Sequence, residues 1–280
     1  MESGADVGSN LSQCEAMLSY AADSGADICV LPELFSCLSH DTELDRYAEP
    51  KNGALCRWGR SLARRFGIAL VMGSFPELPK SGLRAEGDKA AGGVGDKYAA
   101  PQKFNNPSSD VCRPYNTCCV FDDAGRSIAA YRKKHLFDCR RPGARGNESE
   151  LFTPGKSCAV CRVSDDWLLG LGICYDLRFP QHFRELRQRG ANIFALPAAF
   201  TLETGRDHWE VLLRARAIEN QAYAVAANQC GGSGVRRYGR SMIVDPWGTV
   251  IAQASDRPGV IMAELDREYL LKVRETFSID

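Results

Sequence analysis

The chain has no excess of either charge: among its 280 residues, 35 Lys and Arg balance 35 Asp and Glu. Phosphate binding along a nucleic acid, or adhesion to an anionic bilayer, draws on surplus positive charge, so neither is expected. The short basic clusters (Arg64-Arg65, Arg132 to Lys134, Arg140-Arg141, Arg236-Arg237) read as solvated faces or local anion contacts. No apolar run is long enough to span a membrane. The opening residues, Met-Glu-Ser-Gly-Ala-Asp, offer neither a basic n-region nor an apolar h-region, so no secretory signal is expected. The one Cys-x-x-Cys, Cys158 to Cys161, has no second pair and no nearby histidine, which argues against zinc. Gly92-Gly93-Val94-Gly95 lacks both the Lys-Ser/Thr and the preceding strand of a phosphate loop. No metal and no organic cofactor are expected.

Cysteine, by contrast, is plentiful, at 12 residues. The scatter resembles no disulfide framework, and Cys29, Cys118 and Cys119 sit inside apolar runs. Free buried thiols in a reducing compartment are the expectation, cytoplasmic with a mitochondrial location left open. A length of 280 residues suits one large domain with a sizeable core.

Periodicity gives the elements. Leu11, Cys14, Leu18, Ala21 and Ala22 make a helical stripe over 10–24, and Leu55, Trp58, Leu62 and Phe66 a second, each stopped by glycine. Strands are predicted over 28–31, 68–75, 191–196, 222–227 and 260–265, and hairpins over 115–133 and 241–254. Helices are predicted from 180 to about 188, from about 207 to 220, and over 267–276. Residues 76–113 are rich in Gly, Ala, Lys, Pro and Asn and read as a long surface insertion. The alternation implies a layered α/β (α+β) domain over 1–280.

Three apolar runs end in a reactive side chain: Glu33, Lys133 or Lys134, and Cys174. Ligand sites of open α/β sheets gather at strand ends. Cys174 ends the run from Trp167 and is followed by Pro180, which opens a helix pattern. A thiol there has backbone N–H groups close by, that of Tyr175 among them, to meet an oxyanion. A carboxylate, an ammonium and a thiol together suit nucleophilic hydrolysis. The first takes the thiol proton, the thiol attacks a carbonyl or nitrile carbon, and the ammonium stabilises the oxyanion. A rival pairs Cys174 with His208 as base, although His208 sits at a helical stripe and reads as packing.

The set resembles the nitrilase (carbon–nitrogen hydrolase) superfamily, marked by a Glu–Lys–Cys triad. The likeness is carried by Leu31-Pro32-Glu33, by Tyr131-Arg132-Lys133-Lys134-His135-Leu136, by Gly170 to Pro180, by His208 to Asn220 and by Asp245-Pro246-Trp247-Gly248-Thr249. The resemblance implies catalytic Glu33, Lys133 and Cys174, with Lys133 chosen over Lys134 by its place two residues before His135. It implies a supporting Glu148, with Glu150 as its close rival. It also implies a four-layer αββα sandwich that pairs into an αββα–αββα homodimer.

Within the superfamily the chain resembles the Nit1/Nit2 amidase branch, closer to Nit1. The implied activity is hydrolysis of a small anionic linear amide through a thioester, deaminated glutathione first, with 2-oxoglutaramate or a nitrile as alternatives. Arg178, Phe200 and Arg206, with Arg236, are the candidate substrate contacts. Members begin with an apolar strand and end in a tail that are both missing from this sequence. A second hypothesis is therefore a truncated, inactive homologue that acts only through association.

Overall fold

Asp6 opens the first helix by accepting the Ser9 N–H on its carboxylate (3.2 Å), and α1 (Val7–Asp23) buries the Leu11, Cys14, Leu18 and Ala21 stripe. The computed structural model describes residues 1–38, 44–79, 113–138, 147–232, 234–277 and 279. Most of the insertion expected over 76–113 lies outside the described residues, as do Gly92 to Gly95 and Arg140-Arg141. After α1 come β1 (Ile28–Val30), α2 (Ala54–Phe66), β2 (Ala69–Val71), β3 (Phe75–Glu77), β4 (Tyr115–Phe121) and β5 (Ser127–Arg132). Then follow α3 (Glu148–Leu151), β6 (Val160–Arg162), β7 (Leu168–Leu171), a 3-10 turn (Cys174–Arg178) and α4 (Pro180–Gln188). The chain closes with β8 (Ile193–Ala198), α5 (Leu202–Asn220), β9 (Tyr223–Asn228), β10 (Cys230–Gly231), β11 (Arg237–Tyr238), β12 (Met242–Val244), β13 (Val250–Gln253) and α6 (Arg267–Thr276).

Two mixed sheets form. The first joins β1, β2, β4, β3 and β5; the second runs β13-β12-β9-β8-β7-β6, with β7, β8 and β9 parallel. Three apolar cores show how they stack. One joins α1 and α2 to the first sheet through Leu18, Leu62, Leu70 and Phe121. Another joins α4 and α5 to the second sheet through Phe183, Phe194, Trp209 and Leu213. The third lies between the sheets, where Val71, Val120 and Tyr131 meet Leu169, Ile193 and Tyr223. Helices, sheet, sheet, helices is an αββα sandwich, since each sheet must cover two apolar faces.

The structure corrects three sequence expectations. The strand predicted over 68–75 is broken: Leu70 faces Phe121 and Phe75 faces Thr117, so the β2–β3 side carries one extra residue against β4. That is a bulge, centred on Gly73 (φ 55°), where a Cβ would collide with the Pro32 carbonyl. The helix predicted from about 207 starts at Leu202. Residues 260–265 join no ladder: a cleft of about 930 Å³, lined by Ile28, Val225, Ile243 and Val260, separates them from the strands they would pair with. Among the described residues no helix is long and apolar enough to cross a membrane.

Candidate active site

The loop after β1 is pinned from three sides. Leu31 N–H continues the ladder to Val71 O (3.0 Å), and Leu34, at φ 50°, donates its N–H to Ser74 Oγ (3.0 Å) beyond the bulge. Gln229 Nε2 donates to the Glu33 carbonyl (3.0 Å) from the end of β9. Glu33 is thereby buried, and Asn116 Nδ2 on β4 donates to its Oε1 (3.0 Å). Left-handed backbone costs a branched or bulky residue of order 1–3 kcal/mol, and such strain is held only where neighbours over-determine it.

Lys133 follows β5 and donates its N–H to Asn116 O (2.8 Å), so one asparagine fixes both the carboxylate and the backbone of the ammonium-bearing residue. Its Nζ is fully enclosed, 2.8 Å from Glu33 Oε1 and 2.7 Å from Glu148 Oε2. Glu148 Oε2 also accepts the Phe137 N–H (2.7 Å), whereas Glu150 is exposed and accepts from Asn147 (3.1 Å). Lys134 leaves the strand on the opposite side, its Nζ 3.5 Å from Glu185 and 3.7 Å from Cys158 Sγ. Gly155 passes directly over the Lys133 backbone (N to Lys133 O, 2.8 Å), an approach that a Cβ would block against the Arg132 carbonyl.

Cys174 leads the 3-10 turn at φ 46°, half-buried. Asp176 ties the turn down: its carboxylate accepts from Ile173 N (2.8 Å), Tyr131 OH (2.6 Å), His135 N (3.0 Å) and His135 Nδ1 (2.6 Å). The backbone N–H of Ala199, after β8, acts on the Cys174 thiol in favour of the thiolate. Burial pushes the Cys174 thiol well above its ordinary range, and the Glu33 charge adds to this, against the pull of Lys133 and the Ala199 N–H. Burial would lower Lys133, yet the carboxylates of Glu148 and then Glu33 raise it well above an ordinary lysine. Glu148 is raised by burial and by the Glu33 charge, with Lys133 opposing. The resting site thus holds a neutral thiol beside an ammonium shared by two carboxyl groups.

The chain matches the family described as carbon-nitrogen hydrolase over residues 1–275. It belongs to that family. The bovine (Bos taurus) deaminated glutathione amidase is 38% identical over 98% of this chain and 77% of its own length. Omega-amidase NIT2-A of Xenopus laevis is 34% identical over 96% and 87%. The crystal structure of Saccharomyces cerevisiae Nit3, a member of branch 10 of the nitrilase superfamily, superposes with a TM-score of 0.80 at 28% identity, over 99% of this chain and 91% of that one. Family membership makes the chain a hydrolase of carbon–nitrogen bonds.

Around the thiol of this carbon–nitrogen hydrolase, the other sequence candidates divide. The Tyr175 ring packs edge-on against Phe137 (5.1 Å) and Phe179 (5.5 Å). Arg178 lies over the rings of Tyr175 and Phe200 and contacts His208 Nδ1 (3.2 Å). Phe200 is largely spent in the core, its ring tilted against Trp209 with centroids 4.9 Å apart. Arg206 and Arg236 are exposed, the former beside Asp207 (3.0 Å). His208, the rival base, is an exposed partner of Arg178. His135, Asp176 and His182 are close enough to hold a metal ion, but Asp176 is filled by four donors and His182 Nε2 bonds Leu171 O (2.9 Å). The sequence patterns do not single out Asn116, Asp176 or Ala199, and they show Arg237 only as part of a short basic cluster. A polar Asn116 in a strand otherwise buried is the one signal that was available.

Proposed function

We propose that this carbon–nitrogen hydrolase is an amidase for small anionic linear amides, with deaminated glutathione as the first substrate to test. The observation that carries the reading is the Lys133 ammonium bridging Glu33 and Glu148 at 2.8 and 2.7 Å beside a thiol on strained backbone. Glu33 takes the Cys174 proton as the sulfur attacks the amide carbon. Lys133 and backbone N–H groups, that of Tyr175 among them, stabilise the tetrahedral oxyanion. The C–N bond then breaks, and ammonia leaves with the proton held by Glu33. Water, deprotonated by Glu33, attacks the thioester; the acid is released and Cys174 regains its proton. Glu148 holds Lys133 in place. Arg178 and Phe200 form the wall beside the thiol, and Arg206 lies further out on α5.

Bovine deaminated glutathione amidase and frog omega-amidase both resemble the chain over nearly its whole length, which keeps 2-oxoglutaramate as the second substrate. Ammonia release from the two compounds, with Cys174→Ala as control, decides between them. Release that survives in the variant, or none from either compound by folded protein, overturns the reading. We further propose a single catalytic domain with an insertion after residue 79, working as a homodimer in the cytoplasm. Light scattering that gives one chain per particle would refute the dimer.

A further inference from the structure

Arg237 is the one arginine on β10–β11 that turns inward. Its backbone is locked on both sides, paired with Gly231 across the hairpin and bridged to Thr201, while Tyr238 N–H donates to Phe200 O (2.9 Å) and Leu202 N–H to Arg236 O (2.8 Å). Its Nη1 donates to the Ala199 carbonyl (2.9 Å), on the residue whose backbone N–H acts on the Cys174 thiol. The guanidinium is therefore held at the end of β8, on the side of the site. Its Nε is shielded from solvent and has no partner among the described residues. An unpaired donor cut off from solvent is costly, so it marks a place where an acceptor is missing. Burial lowers the Arg237 pKa, and the charges of Glu33, Cys174 and Glu148 act on it from the site.

The charge balance points the same way. Glu33 and Glu148 both hold Lys133, so Lys133 has no carboxylate capacity to spare. Arg178 is engaged with His208 and two rings, and Arg206 and Arg236 are exposed. With Nη1 committed to Ala199, the Nε–Nη2 edge of Arg237 remains, and that edge matches a carboxylate in two parallel hydrogen bonds.

We propose that Arg237 binds the free carboxylate of the substrate and thereby sets the preference for anionic over neutral amides. The inference rests on the amidase reading above and deepens it. The test compares ammonia release from 4-carbamoylbutanoate with that from neutral pentanamide, in wild type, Arg237→Gln and Arg237→Lys. The expected result is a fall of about 10–100-fold in the anionic-to-neutral ratio of kcat/KM for Arg237→Gln, expressed in KM, with Arg237→Lys between the two. A ratio unchanged within about threefold overturns the proposal, since a merely structural arginine would depress both substrates alike. If Arg237→Gln fails to give a cooperative melt, the Arg237→Lys ratio decides. If wild type cleaves neither amide, the amidase reading fails separately, and glutarate binding by calorimetry decides: binding lost in Arg237→Gln supports the carboxylate site, whereas binding kept there, or absent from wild type, refutes it.

Discussion

Two buried carboxylate sites, both linked to the β4–β5 hairpin, have opposite surroundings. Glu33 and Glu148 converge on one ammonium, and Glu148 is held above the usual carboxylate range by burial and by its neighbour's charge. Asp176 takes four donors from Ile173, Tyr131 and His135, which outweigh burial and hold it below that range. The first cluster is short of positive charge and long on acceptors, so Glu148 holds a proton more readily than an ordinary carboxylate. The second is saturated, so it fixes geometry. The proposed catalytic groups and the groups that hold them thus differ in how completely their hydrogen bonds are filled.

The largest expected effect comes from removing the nucleophile. Cys174→Ala should lower kcat on the order of 10⁴–10⁶-fold while leaving a cooperative melt. Next, Lys133→Met should cost about 10²–10³-fold in rate and, by leaving two carboxyl groups facing each other, about 3–5 kcal/mol in stability. Adding Glu148→Gln to Lys133→Met should restore part of that stability but not the rate. Restored turnover would show that the ammonium only neutralises charge.

Asp176→Asn places an NH2 among donors and should cost about 1.5–3 kcal/mol, with kcat falling as the Cys174 turn loosens. An unchanged urea midpoint would mean the two carboxylate sites do not differ as described. The pH dependence follows the same contrast. Because the folded Asp176 is depressed, its stabilising contribution is complete above the ordinary Asp range and is lost as pH falls through the folded value. Glu77, depressed despite burial by Arg132 and Thr117, has the same sign. Urea unfolding from pH 6 to pH 3 should therefore show stability falling at the acid end, and less steeply in Asp176→Asn. The smallest effect belongs to Lys134→Ala: its ammonium is partly exposed at 3.5 Å from Glu185, so about 0–1 kcal/mol and little change in turnover are expected. Dead Lys134→Ala with active Lys133→Met would reverse the assignment of the two lysines.

Periodicity carried the helices well, because the α1 and α2 stripes are local patterns at helical spacing. It failed at 68–75 and 260–265, where the outcome depends on a partner strand. Gly73 lies at the bulge where the Pro32 carbonyl passes close over it, and 260–265 borders a cleft instead of a strand. Neither neighbour is close in sequence.

The site divides in the same way. The sequence by itself determined which side chains end apolar runs and in what order: Glu33, Lys133 or Lys134, and Cys174. It could not determine what surrounds them. Lys133 meets Glu33 across 100 positions and Gln229 holds the Glu33 carbonyl across 196, and no local pattern encodes such contacts. The tertiary structure alone decided that Asn116 and Asp176 do the positioning, and that Arg237, rather than Arg206 or Arg236, turns inward. The reason is physical: strand ends are set by the alternation and turn chemistry of adjacent residues, whereas charge balance and hydrogen-bond saturation depend on which distant elements the packed sheets bring together.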